Sequence, residues 1–289
     1  MSFDIEKGPS GYKRLVLRGA WSAEAHAAWE GGQFDALELN YARGFEGGID
    51  FLQGLTVTDL TLIDRTVEDL GALYATGDVL RSATLAIAPR VNVDLELLPH
   101  VQRLSIENWS QIASSIDALP GLRDLYAGGY GEVDLQPLAD ARGLRRLRLK
   151  DRPALVSLRG VEALDELEEL QIVGARKLQD FGPLEGINDG LTRLWIESCK
   201  KLGDIGFTSR LNALISLAIA DCGSIASISP IAGNSALQEV LMWESTEIAD
   251  GDLSPLMTLP SLRTVRMKNR RHYVPTVGSI AAAIGQSYP

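Results

Sequence analysis

Histidine is the residue type in this sequence with the widest catalytic and metal-binding chemistry, and three are present: His26, His100 and His272. An imidazole works as a general base or a metal ligand only when other functional groups lie within hydrogen-bond reach. The repeat pattern described below separates the three, with one in each terminal cap and one in a return segment between strands. We therefore expect no catalytic histidine and no histidine metal site.

Two cysteines, Cys199 and Cys222, are 23 residues apart and occupy the same position in successive repeats. Adjacent parallel strands are ~4.8 Å apart, so the two thiols should be neighbours. A disulfide is sterically allowed, because bridged Cα atoms lie ~4.4–6.8 Å apart. Two buried, reduced thiols are the interpretation we favour, and they offer too few ligands for a metal site.

Two other patterns resemble catalytic motifs without completing them. The segment 128–131, Gly-Gly-Tyr-Gly, follows a predicted strand, but it lacks the Lys-Ser/Thr pair and the helix of a phosphate-binding loop. The carboxylate pairs Asp165-Glu166 and Glu168-Glu169 recur near predicted strands and are typical of a solvated face. No nucleophile, base or metal set converges, so we expect neither an enzyme nor a cofactor.

The overall charge argues against a nucleic-acid partner. The 289 residues carry a formal net charge of -10, with a pI near 4.9, whereas binding to phosphate backbones needs many clustered basic residues. A basic protein partner suits this charge. The N-terminal residues contain no apolar signal segment and no stretch is long and apolar enough to span a membrane, so we expect a cytoplasmic protein.

A triplet of the form apolar-x-apolar recurs along the chain at spacings of 19 to 25 residues, and a further leucine precedes most triplets by three residues. The triplets are Leu15-Val16-Leu17, Leu37-Glu38-Leu39, Leu60-Thr61-Leu62, Leu85-Ala86-Ile87, Leu104-Ser105-Ile106, Leu125-Tyr126-Ala127, Leu147-Arg148-Leu149, Leu170-Gln171-Ile172, Leu194-Trp195-Ile196, Leu217-Ala218-Ile219, Val240-Leu241-Met242 and Val265-Arg266-Met267.

Each triplet predicts a short strand with alternating inward and outward side chains, and each return segment brings the chain back to start a parallel strand. Parallel crossovers are right-handed, and no single unit can bury its leucines alone. The sequence therefore predicts an α/β repeat solenoid: a right-handed coil of about 12 units with a parallel concave sheet and a convex side of turns or 3₁₀ helices. We expect one domain over residues 1–289, with a cap and first repeat at 1–34, repeats at 35–269 and a second cap at 270–289.

The return segments carry a motif of their own, seen in residues 133–138, 225–231 and 252–256, where Ser-Pro or Gln-Pro precedes Leu or Ile. In this respect residues 15 to 270 resemble the short bacterial leucine-rich repeats of the internalin type, which implies the leucine-rich-repeat fold. That family has Asn or Cys five residues after the first strand leucine, and this chain departs from the pattern. Its residues there are Ala20, Ala42, Arg65, Arg90, Trp109, Tyr130, Arg152, Ala175, Cys199, Cys222, Ser245 and Arg270.

This departure predicts irregular loops where the strands end, with exposed arginine or aromatic side chains. Three helices are also predicted. Ser22 should cap a helix over 23–30, a second should cover 66–76 with Asp69 in a capping box, and a third should cover 279–284 before Gly285.

The outward side chains of the strands form the candidate binding surface. Arg146, Arg148 and Lys150 put three positive charges on one strand, while Trp195 and Trp243 lie two strands apart with only alanines between them. We expect an apolar trough walled by the indoles, with Leu241 as its floor, as in protein-binding hot spots. The alternative is that one indole packs down on its neighbours. The full candidate set is Trp195, Trp243, Ala218, Ala220, Leu241, Glu197, Glu239, Tyr126, Arg146, Arg148 and Lys150.

The function predicted from these residues is binding of a protein partner through the concave face, with no nucleic-acid or membrane partner. An inhibitor, or an immunity protein that neutralises a toxin or effector, is one form of that function, by analogy with the fold alone. A self-associating scaffold that forms a homodimer is the alternative from a second class. An enzyme is the least favoured alternative.

Overall fold

A computed structural model describes residues 2–8, 11–187 and 189–287 of the chain. The chain divides into two compact units, residues 1–127 and residues 128–289. All twelve triplets predicted from the sequence lie on strands, and nearly all of these strands pair in parallel, so the predicted leucine-rich coil is confirmed. In the described residues, no helix combines the length and apolar character needed to cross a bilayer.

The described part of the first unit is built on seven strands in sequential order. Leucines at the centres of its strands, such as Leu15, Leu37 and Leu60, are fully buried. The strands are β1 (Phe3–Lys7), β2 (Lys13–Leu17), β3 (Ala36–Asn40), β4 (Asp59–Asp64), β5 (Ser82–Ile87), β6 (Arg103–Ile106) and β7 (Asp124–Gly128).

The N-terminal edge of this unit is closed by an element that the sequence reasoning missed. Strand β1 pairs antiparallel with β2, so that Phe3 lies opposite Leu17. A helix, α1 (Ala23–Gly32), follows, and the Ser22 side chain accepts from the Ala25 amide at 3.1 Å as predicted. Pairing with β1 satisfies backbone groups that would otherwise form an open strand edge.

The register of β5 corrects one predicted triplet. Ala83 and Leu85, not Leu85 and Ile87, are paired with Leu60 and Leu62 of β4. The repeat spacings on either side of β5 are then 23 and 21 residues, closer to those of the other repeats. Leu80, three residues before Ala83, is the repeat leucine that marks this register in the sequence.

The second predicted helix is also wrong in extent. Only Gly71–Tyr74 is helical, a single turn named α2. The Asp69 carboxylate accepts from the nearby Gly71 amide at 2.8 Å, so it forms a local turn and does not complete a capping box at the head of a long helix.

Among its described residues, the second unit contains eight strands, six of which pair in parallel in chain order. The two others form a separate short ribbon, in which Ile225 pairs with Ile248. The strands are β8 (Arg146–Lys150), β9 (Glu169–Val173), β10 (Arg193–Glu197), β11 (Ser216–Ala220), β12 (Ser224–Ile225), β13 (Glu239–Trp243), β14 (Glu247–Ile248) and β15 (Thr264–Met267), with β12 and β14 forming the ribbon.

Apart from the segments that contain α1 and α2, the return segments in both units are mostly 3₁₀ turns, as the short, proline-containing sequences predict. The Ser-Pro motifs place proline in the first turn at Pro230 and Pro255, where a missing amide is tolerated. The 3₁₀ helices are Tyr41–Arg43, Asp50–Gly54, Leu95–Leu97, Trp109–Gln111, Ile116–Ala118, Gln136–Leu138, Val161–Ala163, Gly182–Gly186, Gly206–Arg210, Ser229–Gly233 and Ser254–Thr258.

The loop directly after each strand, called the corner here, was expected to be irregular. In the second unit its backbone conformation repeats from coil to coil. Six successive coils turn at a residue with positive φ, four residues after the first strand leucine or valine. These residues are Gly129 (φ 59°), Asp151 (φ 59°), Gly174 (φ 78°), Ser198 (φ 53°), Asp221 (φ 50°) and Glu244 (φ 58°). The repeated feature at this corner is therefore a left-handed backbone turn, and not the asparagine side chain that the family pattern has nearby.

Aromatic side chains at this corner are buried, which corrects the expectation that they are exposed. Tyr130 is fully buried and its hydroxyl donates to the Asp134 carbonyl at 3.1 Å. Trp109 is also buried. Arg65 and Arg152 are exposed as predicted. Large rings fill space beneath the corner that a smaller asparagine would leave empty, because protein interiors are close-packed.

The C-terminal cap uses helix α3 (Val277–Ala283), which starts two residues before the predicted helix and is capped by Thr276. Gln286 then lies against the last strand. Its side-chain carbonyl accepts from the Val265 amide at 2.8 Å and its side-chain NH₂ donates to the Val265 carbonyl at 3.1 Å. This side chain therefore takes the place of a neighbouring strand at the edge of β15.

Candidate functional site

The histidines lie on separate elements. His26 is in α1, with its ring 6.1 Å from that of Trp21; His100 is exposed ahead of β6; and the His272 ring nitrogen is 2.9 Å from the Ile248 carbonyl. Within the described residues, no group of three His, Cys, Asp or Glu side chains is arranged to hold a metal ion.

Both cysteines are buried and free, as predicted. The Cys199 thiol donates to the Glu197 carbonyl at 3.4 Å, and the Cys222 thiol donates to the Ala220 carbonyl at 3.2 Å. Burial raises the pKa of Cys199 to about 12 and that of Cys222 to about 11. The thiols therefore remain protonated at neutral pH and are unsuited to act as nucleophiles.

Both incomplete catalytic motifs have structural explanations. Gly129 provides the left-handed turn after β7, which accounts for the glycines there. The paired carboxylates form an exposed ladder of ion pairs with arginines of the preceding coil. The pairs are Arg142–Asp165 at 3.5 Å, Arg145–Glu166 at 3.1 Å and Arg148–Glu169 at 3.0 Å.

The strand face of the second unit is the set of outward side chains on β8, β9, β10, β11, β13 and β15. Burial alternates along these strands except β11, so that in β10 the buried Leu194 and Ile196 lie between outward residues. Register is maintained from strand to strand: Trp195 lies opposite Ala218, and Ala218 lies opposite Leu241. Most of the predicted site residues therefore share one surface.

Trp195 and Trp243 are two strands apart but touch. Their ring centroids are 5.5 Å apart and the ring planes cross at 89°, an edge-to-face arrangement. The Trp195 indole N–H also donates to the Glu197 carboxylate at 2.9 Å. Both indoles are half-buried, so each has one side packed and another side available.

The indole contact corrects the expected trough. Ala218 and Ala220 are 2 % and 1 % exposed, although they lie on the outward face of β11. Ser216, on the same face of that strand, is half-exposed. We infer that the rings close over the two alanines, because they meet across the strand that carries them. Half-buried Leu241 lies beside this pair as part of an apolar patch rather than as the floor of a trough.

The remaining predicted site residues are polar or lie on other strands. Arg146 and Arg148 are exposed on β8, and Lys150 at the end of that strand is half-buried. Glu239 is exposed at the start of β13. Tyr126 belongs to the first unit, where it is half-buried on β7 opposite Ser105 of β6.

A groove at the last strand of the second unit was not predicted. It has a volume of about 590 Å³ and is lined by Trp243, Arg266, Lys268 and Gln286, among others. The outward positions of Arg266 and Lys268 on the last strand were visible in the sequence. The groove itself depends on Gln286 folding back onto β15, which the repeat pattern does not show.

Most outward charged side chains of the first unit form ion pairs with one another. Glu38 is 5 % exposed and accepts from Arg14 at 3.1 Å and Arg43 at 3.0 Å. Arg103 pairs with Asp59 at 3.3 Å. Such neutralised networks leave fewer charges for a partner than a face whose charges lack internal partners.

Two solved structures share this fold. A leucine-rich-repeat protein of Leptospira interrogans is 16 % identical, with a TM-score of 0.64, over 86 % of this chain and 64 % of that one. An internalin of Listeria monocytogenes is 17 % identical, with a TM-score of 0.56, over 82 % of this chain and 73 % of that one. At such identities the likeness shows the fold alone, which is the leucine-rich-repeat fold that internalins have. No family model and no curated protein matches the chain.

Proposed function

We propose that the chain is a protein-binding module whose strand face in the second unit holds a protein partner. The observation that carries this proposal is the indole pair, Trp195 and Trp243, half-buried on a rigid sheet with flanking charges. Tryptophan and arginine are enriched among the residues that dominate binding energy at protein interfaces. The strands fix these side chains in place, so little entropy is lost when a partner binds.

A binding role without catalysis is the proposal, because the side chains with catalytic chemistry are apart, buried or paired in the described residues. Inhibition of another protein, including neutralisation of a toxin or effector, is one form of this role. We propose a bacterial protein of the cytoplasm, and its two free thiols favour such a reducing compartment. Self-association through the same face is the second candidate, since an apolar patch serves a homodimer equally well.

Site-specific photo-crosslinking tests the proposal. A photoreactive amino acid is introduced at Leu241, beside the indole pair, and in a matched variant at Met257, which is exposed on a 3₁₀ return segment. Each variant is irradiated in extract of the native cells, and adducts are separated by mass. We expect a defined heterologous adduct from position 241 and none from position 257.

Two results contradict the proposal. An adduct from position 257 alone would move the binding surface to the return side. An adduct of twice the chain's own mass from position 241 would favour the homodimer. Sedimentation of the purified chain, with Trp243→Ala as a comparison, distinguishes a stable dimer from a chance collision of two copies.

A further inference from the structure

Building on the proposed function, we propose that the partner presents to the strand face of the second unit an acidic segment with an apolar centre. The apolar part would lie on the indole patch, and carboxylates on both sides would contact two pairs of basic residues. These pairs are Arg148 with Lys150 on β8 and Arg266 with Lys268 on and just after β15.

The sign of charge on this face is opposite to that of the chain. The chain has a net charge of -10, which alone favours a basic partner. Five basic and three acidic side chains occupy the outward positions of the strand face, and Lys268, directly after β15, adds a sixth basic group. The basic residues are Arg146, Arg148, Lys150, Arg193, Arg266 and Lys268, and the acidic residues are Glu169, Glu197 and Glu239.

Internal pairing leaves this excess of basic residues in place. Glu169 is paired with Arg148, and Glu197 accepts from the Trp195 indole. Among the described residues, no carboxylate lies within ion-pair distance of Lys150, Arg266 or Lys268. Basic groups held near an apolar patch without carboxylate partners attract carboxylates from a second molecule.

The apolar part of the face lies between the two basic pairs. Val173, Trp195, Leu241 and Trp243 are half-buried on β9, β10 and β13, with the two buried alanines between them. Strand β8 comes before this patch and β15 comes after it. The central row of outward residues is therefore basic at Arg148, uncharged from Gln171 through Trp195, Ala218 and Leu241, and basic again at Arg266. The carboxylates of Glu197 and Glu239 lie to either side of this row.

Dimensions favour a short segment of chain as the occupant. Five strand steps separate β8 from β15, which corresponds to roughly 24 Å at ~4.8 Å per step. An extended chain of about seven residues spans that distance at ~3.4 Å per residue. The groove of about 590 Å³ beside Arg266 and Lys268 offers space for side chains at one end of the segment.

Peptide selection tests this inference. A displayed library of random 12-residue peptides is selected against the full chain, and the recovered peptides are then titrated against three variants. The first reverses the four flanking cations (Arg148→Glu, Lys150→Glu, Arg266→Glu and Lys268→Glu). The second reverses four exposed cations outside the face (Arg176→Glu, Lys177→Glu, Lys201→Glu and Arg210→Glu). The third combines Trp195→Ala with Trp243→Ala.

We expect the wild-type chain to select peptides with Asp or Glu on both sides of apolar residues. Reversal of the flanking cations should weaken their binding at least tenfold, while the matched reversal changes it less than threefold. Recovery of basic or uncharged peptides, or of none, overturns the inference. Equally cation-dependent binding of a 20-nucleotide single-stranded DNA would also contradict it, because the face would then recognise anions in general.

The third variant separates the inference from the proposed function. If peptide binding is lost in the tryptophan variant but kept when the flanking cations are reversed, the inference of an acidic partner is wrong. The proposed function is consistent with that result. Peptides that tolerate both sets of substitutions count against both. Circular dichroism of each variant at equal concentration identifies any loss of binding that results from unfolding.

Discussion

The indole of Trp195 meets that of Trp243 edge to face, with centroids 5.5 Å apart, across the strand that carries Ala218 and Ala220. The same two rings thus pack against each other and, in the proposed function, also contact the partner. Their inner sides bury the alanines, and their remaining surface is available to a partner. Small residues on β11 are therefore needed so that the rings can approach each other.

The ring contact should appear as coupling in a double-mutant cycle. Trp195→Ala and Trp243→Ala should each lower the free energy of unfolding by about 1 kcal/mol or more, and together they should cost about 1 kcal/mol less than the sum. The measurement is urea denaturation of the four proteins. A coupling near zero would show that the rings do not rest on each other in solution.

The two thiols should be unreactive in the folded protein. Burial raises the pKa of Cys199 to about 12 and that of Cys222 to about 11, so almost no thiolate exists at pH 8. A thiol reagent should label neither cysteine in the native protein and both in denaturant without reductant. Labelling of neither after denaturation would reveal a disulfide.

These raised pKa values also predict a pH dependence. An unfolded thiol ionises near pH 9, while the folded thiols ionise at higher pH, so burial favours the protonated form. The contribution to stability is present below pH 9 and is lost as pH rises from there towards 11 to 12. A variant with both cysteines replaced by alanine should lose less stability over that range than the wild type.

Two glycines with positive φ should differ in their tolerance of alanine. Gly223 (φ 83°) has open space where an added methyl group would lie, whereas a Cβ on Gly251 (φ 69°) would meet the His272 carbonyl oxygen. Gly223→Ala should cost about 1 kcal/mol from backbone strain alone. Gly251→Ala should lower the melting temperature clearly further. Equal losses would show that the Gly251 turn can move.

One cooperative domain is predicted for residues 1–289, because coils of a solenoid are stabilised by their neighbours. Calorimetry should show a single unfolding transition whose van't Hoff and calorimetric enthalpies agree. Two resolved transitions would contradict the single domain, and cleavage near residue 127 between them would identify the two compact units as independent.

The repeat strands could be predicted because each strand buries alternate side chains, which requires an apolar-x-apolar triplet every 21 to 25 residues. Leu85-Ala86-Ile87 was misplaced since Ala83 fills a leucine position of β5, and the preceding Leu80 was the stronger guide. Strand β1 escaped prediction because it is antiparallel and outside the repeat. Gly129 and Gly174 were consistent with a left-handed turn after the strand, but Ser198 and Glu244 are residue types that do not normally indicate positive φ.

The sequence allowed us to predict which residues belong to the candidate site, but not how their side chains are arranged. Period-two alternation places Trp195 and Trp243 on one face. The orientation of their rings depends on side-chain rotamers and on the space left by Ala218 and Ala220, which the sequence does not specify. The groove beside Lys268 likewise depends on the path of the chain after α3 and on the contact of Gln286 with Val265.

The central claim is that a protein partner binds to the strand face of the second unit. The most direct test is the dissociation constant of the partner captured by crosslinking, measured by calorimetry for wild type, Trp243→Ala and Met257→Ala. We expect Trp243→Ala to weaken binding by ~2 kcal/mol, about 30-fold, and Met257→Ala to change it less than twofold. A folded Trp243→Ala variant that binds the partner as tightly as the wild type would contradict the claim.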